Sequence, residues 1–143
     1  MADAFSLEVA TPERLLVQEP ASEAQIPAKD GFIGVLPGHA PLLAELTSGV
    51  MSYVSGGKTR HLSIHGGFVE VLPEQVRVLA DVAERPEEID VERAKAKLRK
   101  AQDAMHQLMQ ESPVAADPAT ALAEMQRAQT RIEAAEKRQG PAA

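Results

Sequence analysis

The 143-residue chain contains no cysteine and no tryptophan. Without cysteine there is no disulfide framework, no thiol nucleophile and no thiolate zinc site. Only four residues are aromatic, Phe5, Phe32, Tyr53 and Phe68. That is too few for a base-stacking platform or a large apolar ligand pocket. Cations are outnumbered, with 15 Lys plus Arg against 21 Asp plus Glu and a formal charge of −6. This balance argues against nucleic acid as the main partner, because phosphate backbones need a basic face. No apolar run approaches the roughly 18–20 residues that cross a bilayer, and no basic leader followed by an apolar stretch opens the sequence. The expectation is a soluble cytoplasmic protein, long enough for one domain or for a small domain with an appendage.

What the chain does contain is unevenly distributed. Residues 1–86 hold eight of the nine glycines, all four aromatics and 13 of the 17 valines plus isoleucines. Residues 87–143 hold 14 of the 24 alanines. Strand and turn formers thus give way to helix formers around Arg85-Pro86-Glu87. Charge divides too: six cations against eleven acids before the break, nine against ten after it. The reading is a β-sandwich domain at 1–86 and a helical hairpin at 87–143, an α+β arrangement.

In the first unit Phe5, Leu7 and Val9 alternate with Ser6 and Glu8, the period of a half-buried strand. Similar short runs recur about every ten residues, separated by Thr11-Pro12-Glu13, Lys29-Asp30-Gly31, Ser55-Gly56-Gly57 and Pro73-Glu74-Gln75. Eight to ten strands with no helix between them predict an antiparallel sandwich or flattened barrel. Gly56-Gly57 reads as a hairpin turn, and Gly66-Gly67 as a turn or bulge. In the second unit Val91, Ala94, Leu98, Ala101, Met105 and Leu108 recur at helical spacing behind Asp90, a predicted N-cap. Ser112-Pro113 is read as the stop. Asp117-Pro118 restarts a helix, with a stripe of Leu122, Met125, Ala128, Ile132 and Ala135. A short connection makes the two helices an antiparallel pair. Its core is thin and padded with alanine, so it depends on docking and can dock in more than one way.

Few residues suggest catalysis. His61 and His65 stand four apart on one strand, but no following carboxylate completes a metal-ligand pattern. His39 lies in Leu36-Pro37-Gly38-His39-Ala40-Pro41-Leu42 and reads as a loop histidine making structural hydrogen bonds. There is no nucleophile elbow, phosphate loop or dinucleotide fingerprint. On the residues alone the chain is a sandwich plus hairpin with a binding or regulatory role.

Four segments occur in order: Thr11-Pro12-Glu13; Gly31-Phe32-Ile33-Gly34-Val35-Leu36-Pro37-Gly38-His39-Ala40-Pro41-Leu42; Gly66-Gly67-Phe68-Val69-Glu70-Val71; and Val78-Leu79-Ala80-Asp81. With the sandwich-then-hairpin layout, they resemble the epsilon subunits of bacterial F-type (rotary) ATP synthases, over nearly the whole chain. The resemblance implies a non-catalytic central-stalk subunit held between the gamma subunit and the ring of c subunits. It lies peripherally on the cytoplasmic face of the inner membrane without inserting. The hairpin either folds on the sandwich or extends along gamma into the alpha/beta hexamer, where it blocks ATP hydrolysis. The Asp30-Gly31-Phe32 loop and His39 then face the c ring and gamma. Phe32 stands where some relatives carry a charge, so it is either an apolar contact or core.

No cofactor is required, but ATP enters as a regulatory ligand. Some family members bind it through Ile/Leu-Asp-x-x-Arg-Ala at the start of the first helix. Here Ile89, Asp90, Arg93 and Ala94 match that signature, Glu84 matches an upstream acid, and Arg127 and Arg131 match paired arginines on the second helix. Lys100 stands where arginine is usual, a change that removes bidentate phosphate contact. The competing reading makes Asp90 a helix cap and pairs the arginines with Glu124 or Glu133, or with gamma and beta. A free-standing nucleotide-sensing adaptor is the second functional reading, and a small metalloenzyme on His61 and His65 the third.

Overall fold

The structure is a computed structural model and describes residues 3–110 and 117–138. The chain-stopping role given to Ser112-Pro113 lies outside the described residues. Eight strands come first: β1 (Phe5–Ala10), β2 (Leu15–Ala21), β3 (Glu23–Ala28), β4 (Gly31–Val35), β5 (Leu42–Glu45), β6 (Gly49–Ser55), β7 (Lys58–Val71) and β8 (Gln75–Glu84). A 3-10 turn at Pro86–Glu88 leads into α1 (Val91–Gln110) and α2 (Pro118–Ala135).

Alternation puts Phe5, Leu7 and Val9 of β1 inside, and does the same for Val69 and Val71 of β7 and Val76 and Val78 of β8. These side chains join Ile26, Val35, Met51 and Ile64 from the other strands in one apolar core. The hydrogen-bonded order is β2-β1-β8-β7-β6-β3-β4, with β5 also on β7. The sheet folds over on itself, and its inward faces share that core. Pro20 sits in β2, at the end of the sheet order, where a missing N–H costs no ladder bond.

The sheet departs from the expected wholly antiparallel form at one place. β1 pairs β8 in parallel, from Ser6↔Gln75 to Ala10↔Leu79. The direction of β8 is set by its tight turn from β7, closed by the Leu72 N–H donating to Gln75 O at 2.8 Å. Turn residues and alternation report local hairpins and carry no signal for a pairing between the chain's first and last strands.

Gly66-Gly67 is neither a turn nor a register-shifting bulge. Both glycines lie inside β7, with φ of 71° and 110°, and pairing to β8 stays in step from Ser63↔Glu84 to Val71↔Val76. They bend one long strand, and at the bend its other edge passes from β6 to β5. A Cβ at Gly67 would lie 2.1 Å from Leu79 O, so the strands approach here because glycine has no side chain. The Gly56-Gly57 turn does have the expected positive φ, at 59° and 76°, between Ser55 and its partner Lys58.

The helices form as their caps dictate. Asp90 Oδ1 accepts from the Arg93 N–H at 3.0 Å, and Asp117 Oδ1 from the Ala119 N–H at 3.2 Å. A 20-residue helix is about 30 Å long, and seven linking residues reach at most roughly 25 Å, so the packed pair must run antiparallel. Helix α2 lies between α1 and strands β6 and β7. Two helix faces are therefore covered, and the buried α2 residues are Ala121, Ala128, Thr130, Ala134 and Ala135. Leu122 of the expected stripe is instead 48 % exposed.

Gly67→Ala is expected to destabilise the sheet by about 2–4 kcal/mol, because strained φ and backbone overlap act together. Gly38 also has positive φ (88°) but open space around its missing Cβ. Gly38→Ala should then cost only about 1 kcal/mol. Urea unfolding of the two variants checks the difference.

Candidate functional site

The sandwich and hairpin meet at a small apolar seam and a charged joint. In the seam Ile89 packs with Ala134 and Ala135, flanked by Val50 and Val91. Alanine methyls bury little area, about 1 kcal/mol each against 1.5–3 for a larger aliphatic side chain. Polar contacts therefore carry much of the specificity of docking. Just past the end of α2 Arg138 donates from Nε to Pro86 O at 3.0 Å and from Nη2 to Ile89 O, which holds the turn between the two units.

The charged joint centres on Glu84, the last residue of β8. Its Oε1 accepts from Arg131 Nε of α2 at 2.8 Å and from Ser63 Oγ of β7 at 3.1 Å, and lies 3.4 Å from His65 Nε2. Burial alone would raise the Glu84 carboxyl. The contacts with His65, Arg131 and Ser63 outweigh burial and hold it at about 2. His65 is pushed below its ordinary value by burial and by Arg131 and Arg127, against the pull of Glu84.

Beside this joint a cavity of about 650 Å3 opens between hairpin and sheet. Leu46, Thr47 and Ser48 of the β5–β6 loop line it, with His65 and Gly66 at the β7 bend and Asp81 and Val82 of β8. Helix α1 contributes Lys97 and Lys100, one turn apart, and α2 contributes Glu124, Arg127 and Arg131 among others. The Asp81 carboxylate lies over Gly66, where an added Cβ would come within 2.6 Å of Oδ2. Lys97, Lys100 and Arg127 make no ion pair or side-chain hydrogen bond among the described residues, although the chain as a whole is acidic. Three uncommitted cations around an open hollow suit a polyanion such as a triphosphate.

The residues matched to a nucleotide signature divide into three groups. Lys100, Arg127 and Arg131 line the cavity. Glu84 stands behind it, engaged with Arg131, so these two are partners of one another and the arginine is not paired with Glu124 or Glu133. Asp90 caps α1 through the Arg93 N–H, Ile89 is buried in the seam and Ala94 is buried. The Arg93 side chain is exposed, and neither it nor Asp90 lines the cavity. Sequence reasoning missed Lys97. The signal was available, since Lys97 and Lys100 share one helix face three residues apart.

The other two sets lie elsewhere. Phe32 is 61 % exposed, which removes it from the core. It follows the Lys29-Asp30-Gly31 turn, where Gly31 has φ of 122°. His39 Nδ1 lies 2.6 Å from Ala40 O, in the loop between β4 and β5. His61 and His65 line different hollows: His61 borders a small one with Arg60, Arg85 and Lys137.

Glu84→Gln is expected to loosen docking by about 1–3 kcal/mol, because it leaves Arg131 facing a neutral amide. In the parent chain a carboxyl held at about 2 contributes fully above its ordinary 4.5 and loses that contribution as pH falls towards 2. Hydrogen-exchange protection factors of α2 amides, measured against pH in both chains, check this.

Comparison with known proteins bears on the whole chain. A family model described as ATP synthase, Delta/Epsilon chain, beta-sandwich domain matches residues 4–86, and one described as the long alpha-helix domain of the same chain matches residues 87–137. The chain is 54 % identical to an ATP synthase epsilon chain of Solibacter usitatus over 139 residues, covering 96 % of this chain and 100 % of that one. It is 51 % identical to the ATP synthase epsilon chain of Koribacter versatilis over 102 residues, 71 % of this chain and 72 % of that one. Among solved structures it resembles a chain of the Euglena gracilis mitochondrial ATP synthase (OSCP/F1/c-ring), with TM-score 0.79 and 27 % identity over 95 % of this chain and 83 % of that chain. The fold, both segments and their order thus lead to one assignment: the chain belongs to the ATP synthase delta/epsilon family, as an epsilon subunit of the F-type enzyme.

Proposed function

We propose that this subunit is a non-catalytic coupler and brake of the central stalk: its sandwich joins gamma to the c ring, and its hairpin restrains ATP hydrolysis when it leaves the sandwich and reaches the alpha/beta hexamer. The observation that carries this is the docking seam. The hairpin rests on the sandwich through alanines, one isoleucine, the Glu84–Arg131 pair and the Arg138 clamp. An interface so small and so polar can open without unfolding either side, which a two-state regulatory element needs.

The outer surface of the sandwich supports protein attachment. Phe68 and Leu79 face each other across β7 and β8, both exposed, and Leu43 on β5 is exposed as well. Phe32 near the start of β4 and Leu36 in the loop after it are also bare. We assign the Asp30-Gly31-Phe32 turn and His39 to the contact with gamma and the c ring, with Phe32 as an apolar anchor. No helix among the described residues is long and apolar enough to cross a membrane. Attachment through these neighbours places the subunit peripherally on the cytoplasmic face of the inner membrane. The free-standing adaptor reading needs none of these surfaces.

ATP is the regulatory ligand we assign to the cavity, with Lys97, Lys100 and Arg127 taking phosphate oxygens. Because the cavity is walled by both units, a ligand in it favours the docked hairpin.

Deleting residues 87–143 is expected to leave gamma binding intact and to raise ATP hydrolysis by the assembled complex severalfold. Loss of co-purification with gamma would refute the coupling role. Lys100→Ala combined with Arg127→Ala should weaken ATP binding at least about tenfold in calorimetric titration, near 1.4 kcal/mol. Unchanged affinity, or no binding by the parent at millimolar ATP, removes the nucleotide site.

A further inference from the structure

His65 is 3 % exposed and sits where the charged joint meets the cavity. Its Nδ1 lies 3.3 Å from Ser48 Oγ. Its Nε2 lies 3.4 Å from Glu84 Oε1 yet is not aligned for a hydrogen bond. That same oxygen already accepts from Arg131 and from Ser63. Charge reaches the cavity on which the ring borders from three elements: Asp81 and, behind it, Glu84 from β8, Glu124, Arg127 and Arg131 from α2, and Lys97 and Lys100 from α1, while the β5–β6 loop adds only uncharged groups. A neutral imidazole suits a place so rich in cations, and a second cation on Glu84 Oε1 does not.

We propose that the His65–Glu84–Arg131 cluster is a proton-operated latch, in which a proton taken up by His65 displaces Arg131 from Glu84 and releases α2 from the sandwich. The proposal rests on the releasable hairpin argued above and adds what controls it. When α2 leaves, it removes Arg127 and Arg131 and uncovers the ring. Glu84 loses its guanidinium, and protonated His65 takes the vacant place on Oε1. The docked form holds His65 below its ordinary value, so the released form binds the proton more tightly. Well above the pH at which the released ring titrates, both forms are neutral and pH has no effect. Below it, acidification shifts the balance towards release, by up to about tenfold per pH unit for one proton. Glu84 stays ionised down to pH 5.5 in both forms, since its carboxyl is held at about 2 when docked and its ordinary value, 4.5, already lies below that pH.

The chain has no cysteine, so Lys58→Cys at the start of β7 and Gln129→Cys on the exposed side of α2 give unique sites for a dye pair. Energy transfer is followed through a urea titration at pH 7.5 and pH 5.5 without nucleotide, and sandwich unfolding separately through the amide resonances of Val9 and Val78, paired in the core on β1 and β8. The expected result is loss of transfer before these core signals change, with a release constant several-fold to about tenfold larger at pH 5.5, and no such pH effect in His65→Gln. Early release with the same constant at both pH values, or an unchanged pH effect in His65→Gln, overturns the latch and leaves the releasable hairpin standing. Loss of transfer only together with the core signals overturns both. Should His65→Gln not fold, the His65 ring resonances of the parent chain decide: they must titrate together with the loss of transfer, and titration while the hairpin remains docked overturns the latch.

Discussion

The C-terminal hairpin has too little to bury. Its covered residues are chiefly alanines and a threonine, and its largest apolar side chains, Met109 and Leu122 among them, remain partly or largely in solvent. A helix pair of this kind gains little from its own packing and needs a support. The support is the sandwich at strands β6 and β7, and the contact that orients the hairpin on it is the one between Glu84 and Arg131. Around that carboxylate gather Ser63 from β7, the buried His65 and, one step away, the lysines and arginine of the cavity.

Two kinds of stability coexist as a result. The sandwich is held by large side chains that are fully buried, such as Phe5, Leu7, Ile26, Met51 and Ile64, and by strands paired along most of their length. Its stiffness comes from close packing, which tolerates little rearrangement. The joint is held by charge and by methyl groups, whose strength depends on protonation, ions and ligands. A rigid body joined to a conditional one has the mechanical form that the proposed coupler and brake requires. The acidic balance of the sandwich and the basic residues of the hairpin contribute to this joint through Glu84 and Arg131.

Much of the fold was legible in the residues. Alternation in β1, the Gly56-Gly57 turn, the Asp90 and Asp117 caps and the change of composition near Pro86 all act over a few positions, and local physics decides them. β5 carries no such signal, because four residues beginning Leu42-Leu43 show no period. The apolar stripe of α2 marks one face, whereas two are covered, by α1 and by the sheet, which leaves Leu122 outside. The Gly66-Gly67 pair stands out in the sequence without its purpose, since the need for glycine comes from the carbonyl of Leu79 on another strand.

The candidate site divides the same way. The family signature and the cationic positions of the two helices can be found along the chain, because each is a short motif on one element. Which of those residues meet is settled by long-range pairing. Glu84 reaches Arg131 across 47 positions, and Ser48 reaches His65 across 17. Arg93, which the motif would place at a ligand, points to solvent, and Lys97, which no motif named, lines the cavity. The sequence by itself determined the sandwich, the two helices, the acidic charge and the family, since hydrophobic period, caps and turn chemistry act locally. Only the tertiary structure decided the parallel closure of β1 on β8, the bend of β7 and the assembly of one carboxylate, one histidine and one arginine at the seam. Burial and charge act between groups according to their distance in space, and that distance exists only once the chain has folded.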